Sequence, residues 1–179
     1  MLWVMLIGLS DANHIKIPYS KIEKSIKKHL TKHDISLVPV EVGGDQILQS
    51  EILEITVNNV TTGYVYVGRV NSCRAGGCSV LSNDDTVEFE YFDYFLIADS
   101  SANVVNVKVF NYQATHGHQI MSRGWLRQFV GYGGDQSLKY GKDIQAISGA
   151  TVSAKTLIDD IEEAGSLLRT LYQLNIKMR

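Results

Sequence analysis

From Ala154 onward the apolar residues recur at helical spacing: Ala154, Leu157, Ile158, Ile161, Ala164, Leu168, Leu171 and Tyr172. Steps of three and four place them on one stripe of a long C-terminal helix. Such a stripe must be buried against a second layer, which the rest of the chain has to supply. The helix follows a Ser148-Gly149-Ala150 turn, and Thr151 falls in its first turn. A helix start presents unpaired backbone N–H groups and the positive end of the macrodipole, a ready seat for a phosphate. Gly149 lets the backbone approach an anion closely. A threonine hydroxyl at that place is positioned for esterification by a phosphate held there. The same residues also read as an ordinary helix entry, with Ser148 as N-cap and Thr151 as a first-turn residue.

The second layer is written upstream. Ile52 to Val57 and Tyr64 to Val70 read as a hairpin, with turn residues at Asn58-Asn59 and Thr61-Thr62-Gly63. Phe89 to Ala98 and Val104 to Tyr112 read as a second strand pair, joined by Asp99-Ser-Ser-Ala-Asn103. Asn71 to Asp85 is loop-like. Trp125 to Val130 predicts a short helix, broken by Gly131-Tyr132-Gly133-Gly134. Near the N-terminus, Ile22, Ile26 and Leu30 are spaced by four, with Lys21, Lys24, Lys27 and Lys28 on the other faces. That predicts an amphipathic helix capped by Ser20. Its lysines form a solvated face or one turned towards an anionic membrane surface. The whole predicts an α+β fold: an antiparallel β-sheet packed by helices on one face, with an N-terminal amphipathic helix and a long C-terminal helix. The organisation expected is a hydrophobic segment over 1–12, a helix and connector over 13–45, and one domain over 46–179.

The chain has 179 residues, 45% hydrophobic and 20% charged, enough for one sizeable core. A net charge of -2 gives no basic field for nucleic acid. Met1 to Ser10 is nearly all apolar but too short to span a bilayer, which takes about 20 residues. It fits the apolar core of a secretory signal, with Ser10-Asp11-Ala12 as a small-x-small site, or else a buried strand. Export would place the protein outside the cytoplasm. In that setting Cys73 and Cys78, separated by Arg-Ala-Gly-Gly, can close a disulfide. His116 and His118 offer the cysteines further metal ligands, but the spacing lacks the paired grammar of a metal site, and none is expected. Signatures of hydrolases, phosphate-loop enzymes and dinucleotide enzymes are missing from the sequence.

The run Asp143-Ile-Gln-Ala-Ile-Ser-Gly-Ala-Thr-Val-Ser-Ala-Lys155 resembles the attachment region of the FMN-binding domain family. That family includes flavoprotein subunits of membrane electron-transport complexes, such as the Rnf and sodium-translocating quinone reductase G- and C-type subunits. Gly63-Tyr64-Val65-Tyr66-Val67-Gly68, Phe92-Asp93-Tyr94-Phe95 and Trp125-Leu126-Arg127-Gln128-Phe129-Val130-Gly131 resemble further family segments in the same order. The resemblance covers about residues 50 to 172. It departs at Gln145, where many members carry an acid, the nearest acid here being Asp143. It departs again at Ala114 to Ile120, where many carry a Glu-Thr-Pro-Gly-like loop.

The resemblance implies an electron-transfer flavoprotein. Its FMN would be joined through a phosphoester to Thr151 by a separate flavin transferase that uses FAD and Mg²⁺. Ser148, Gly149, Ala150, Val152 and Ser153 would surround the phosphate. Gly117, His118, Gln119, Trp125 and Leu126 would lie near the ring. The partners implied are the transferase and a redox protein or membrane electron-transport complex. The expectation is a carrier rather than a self-contained enzyme. A flavin reductase module working with a partner, and a noncovalent FMN-binding or structural domain, are the alternatives.

Overall fold

The computed structural model describes residues 15–40, 50–74 and 89–177. Five strands, β1 (Ser36–Pro39), β2 (Ser50–Val57), β3 (Val60–Arg74), β4 (Phe89–Asp99) and β5 (Val104–Tyr112), follow α1 (Tyr19–His29). After them come a 3-10 turn at His118–Met121, a short α2 (Arg123–Leu126), a second 3-10 turn at Arg127–Phe129, and α3 (Thr151–Lys177). The strands lie in sequence order in one sheet, each antiparallel to the next. The architecture is the expected α+β.

Alternate residues of a strand face opposite sides of the sheet. Tyr64, Tyr66, Tyr94 and Leu96 join Ala154, Leu157, Ile158, Ile161 and Leu168 of α3 in one core. Leu53, Val65, Val67, Phe95 and Ile97 join Ile22 and Ile26 of α1 in another. Helices therefore cover both faces of the sheet, not the single face expected. The cause lies in the central strands. Tyr64 to Val67 and Tyr94 to Ala98 are apolar at every position, and a strand written that way buries both its sides.

Local details also shift. Pro18 takes the position before α1, and its carbonyl accepts the amides of Lys21 and Ile22, so Ser20 lies inside the helix and is not its cap. The first hairpin turns on two residues alone, Asn58 and Asn59, at φ 50° and 63°. Asparagine tolerates the left-handed conformation that such tight turns require. Thr61, Thr62 and Gly63, expected in the turn, belong to β3, which also runs on through Asn71 to Arg74 into the expected loop. The helix-and-connector segment supplies α1 and the edge strand β1, both built onto the same sheet. Cys73 is buried near the end of β3 and is not a free thiol. Its expected partner Cys78 and the apolar segment 1–12 lie outside the described residues.

One carboxyl is sandwiched between α3 and the sheet. Asp160 accepts hydrogen bonds from Tyr94 Oη at 2.7 Å and from Tyr66 Oη at 3.4 Å. Burial pushes it from 3.8 up to about 6, the hydrogen bond from Tyr94 pulls it down, and the nearby charge of Glu163 raises it. Between those values the folded protein keeps a proton that the unfolded chain releases. Stability from this group is therefore greatest below about 4 and is lost as the pH rises through about 6. Asp160→Asn removes this dependence. In urea titrations the wild type should gain stability relative to the variant as the pH falls through that window, whereas a constant difference would count against the assignment.

Candidate functional site

Ala150, buried, immediately precedes α3, and its carbonyl accepts the Ala154 amide at 2.8 Å. Ala150 is thus the N-cap, in place of Ser148, and alanine has no side-chain acceptor for the amides that follow it. Those first-turn amides have no partner within the helix itself. Thr151 and Val152 are exposed at this end, and Ser148 and Gly149 are exposed just before it. Gly149 stands at φ 78°, a conformation that favours glycine, and a Cβ there would lie 3.2 Å from Gln119 Nε2. Gln119, carried by the 3-10 turn at His118–Met121, therefore lies against the backbone leading into α3. His118 is exposed on the same turn.

Ser153 points the other way. It is buried, with Oγ 2.7 Å from Ser72 Oγ of β3 and 3.3 Å from Tyr112 Oη at the end of β5. Tyr112 also donates to the His116 carbonyl at 2.5 Å and stacks on Phe92. Burial raises the Tyr112 phenol above its ordinary range, against the hydrogen bonds from Ser153 and Ser72, so it stays a neutral donor. These bonds tie the loop after β5 to the first turn of α3. The fit leaves no room at Gly117, which has φ 89°. A Cβ there would fall 2.4 Å from Ser153 Oγ and 2.9 Å from Tyr112 Oη. Gly117→Ala should cost about 1–3 kcal/mol of stability, from backbone strain and the displaced Ser153. Denaturant unfolding checks this, and an unchanged midpoint would refute the tight contact.

Trp125 and Leu126, expected beside the ring, are core residues at 6% and 4% exposure. Trp125 packs edge-on against Phe129 and donates its indole N–H to the Gln145 carbonyl at 2.8 Å. Gln128 Oε1 accepts the Gln145 amide at 2.7 Å. Tyr140 Oη accepts the Ile147 amide at 3.1 Å. The segment leading to Thr151 is thus clamped through its backbone by three side chains. Asp143, the acid nearest Gln145, accepts the Lys139 amide at 2.9 Å in a local turn.

The expected residues therefore divide. Gly117, Gln119, Gly149, Ala150, Thr151, Val152 and Ser153 gather around the start of α3, whereas Trp125 and Leu126 support it from within. Ser72 was not foreseen, because it belongs to a stretch that reads as loop and lies far from Ser153 in sequence. What the arrangement offers chemically is a fixed set of amide donors, an exposed hydroxyl on Thr151 and an amide side chain on Gln119. Among the described residues no His, Asp or Glu side chain is hydrogen-bonded to the Thr151 hydroxyl, as a general base that made it a strong nucleophile would be. Neither the models of known protein families nor the curated proteins include a match to this chain.

Proposed function

We propose that this protein is an FMN-carrying electron-transfer protein, with the flavin phosphate held at the start of α3 and esterified to Thr151. The observation that supports this most is the exposed Thr151 hydroxyl on the first turn of a 27-residue helix whose N-cap is an alanine. The residues present suit a phosphate monoester. Among the described residues no side chain caps the amide donors, Gly149 allows close approach, and Gln119 lies beside it as a polar partner. FMN, when bound, supplies the redox chemistry, and the protein supplies binding, orientation and shielding. Ser153 and Tyr112 fix the first turn, while Trp125, Gln128 and Tyr140 fix the segment entering it.

With no base hydrogen-bonded to Thr151 among the described residues, attachment falls to a separate flavin transferase using FAD and Mg²⁺. The protein then passes electrons between a membrane reductase and a partner, outside the cytoplasm. Co-expression with such a transferase, followed by denaturing electrophoresis, should leave flavin fluorescence on the band. A dark band would overturn covalent attachment.

A further inference from the structure

Independently of the flavin reading, one flank of the molecule collects cations from three elements. Lys21, Ser25 and Lys28 lie along one row of α1, since residues four and three apart share a helix face. Ser25 Oγ accepts a hydrogen bond from Asn106 Nδ2 of β5 at 2.7 Å, which turns that row towards β5. Lys108 shares the sheet face of Asn106, because they pair with Phe95 and Ile97 of the α1-side core. Arg123 and Arg127 follow on the segment beside β5. Lys21, Lys24, Lys28, Lys108, Arg123 and Arg127 are all exposed.

Their closeness shows electrostatically. After burial, it is Lys21, Arg123 and Lys24 that lower the Lys108 ammonium, and Lys28 and Arg127 that lower His29. Among the described residues, the charges that shift these two groups are all positive. On the opposite flank of α1, Lys27 instead lies 3.7 Å from Asp34. The whole chain carries only -2, so the residues outside this cluster together carry a net negative charge. Crowded like charges repel one another and gain from an anionic counterpart. Met121 and Val130, both large, apolar and exposed, bracket the two arginines. Cations mixed with exposed apolar side chains suit a lipid headgroup layer better than an acidic protein surface. Among the described residues no helix is long and apolar enough to cross a membrane.

We propose that this flank docks the protein on an anionic phospholipid surface. The test is co-sedimentation of the full chain with phosphatidylcholine vesicles, with and without phosphatidylglycerol, at two salt concentrations. Binding should need phosphatidylglycerol and should fall at high salt. Each cation at such a surface accounts for about a fivefold change in affinity, so the triple variant Lys21→Gln/Lys24→Gln/Lys28→Gln should bind at least about tenfold more weakly. Lys27→Gln on the other flank should bind within about twofold of wild type. Wild-type protein that ignores phosphatidylglycerol overturns the proposal without recourse to any variant. So does a loss in Lys27→Gln equal to that of the triple variant. Capture of an acidic polypeptide through these lysines, with no vesicle binding, would assign the flank to a protein partner instead and overturn the lipid assignment.

Discussion

Replacing Thr151 by valine is expected to abolish covalent flavin completely while leaving the fold in place. The side chain is exposed, and valine matches threonine in shape, so stability should change by less than about 0.5 kcal/mol. What valine lacks is the hydroxyl that would carry the phosphoester. Thr151→Ser keeps a hydroxyl at the same helix start and should retain a measurable share of the adduct. The comparison is made on protein co-expressed with a flavin transferase, by fluorescence of the denatured band. If Thr151→Val still carries denaturation-resistant flavin, the attachment site is elsewhere.

The largest loss of stability is expected from Arg69→Met. Arg69 Nε donates to Asp93 Oδ1 at 2.7 Å and Nη2 donates to Oδ2 at 3.1 Å, a two-point pair. Asn111 Nδ2 donates to the same carboxylate at 2.7 Å, and the guanidinium lies 4.0 Å from the centre of the Tyr91 ring. The Asp93 side chain is only 2% exposed and that of Arg69 9%. Removing the cation leaves a buried carboxylate with one neutral donor, which costs about 3–5 kcal/mol. The double change Arg69→Met/Asp93→Leu removes both charges and should recover part of that loss. Urea denaturation near neutral pH measures both. A drop below about 1 kcal/mol for Arg69→Met would mean that the carboxylate finds water or another partner.

The parts of this structure readable in the sequence are those where one local signal points one way. The apolar stripe of α3 and its start at Thr151 are of this kind. So are β4 and β5, long apolar runs separated by a polar turn in which the Asp99 carboxylate accepts the Ser101 and Asn103 amides. What was not readable depends on distant partners. The four residues Ser36 to Pro39 become a strand only because β2 offers them an edge. The second covered face of the sheet follows from strands too uniformly apolar for alternation to show which side is inward. Near Thr151 the helix start was legible, but the close approach of Gly117 to Ser153 Oγ and Tyr112 Oη was not. The hold of Trp125 on the Gln145 carbonyl was not legible, because an aromatic side chain reads the same whether it lines a pocket or holds a loop from beneath. The Ser72–Ser153 bond joins residues on separate elements, and no local pattern announces it.

A flavin phosphoester on Thr151 would show first in the mass of the protein after co-expression with a flavin transferase. The mass should rise by one FMN less one water, carried on the tryptic peptide from Asp143 to Lys155 and assigned by fragmentation to Thr151. An unmodified intact mass, with the transferase shown to be active on another acceptor in the same cells, would contradict it.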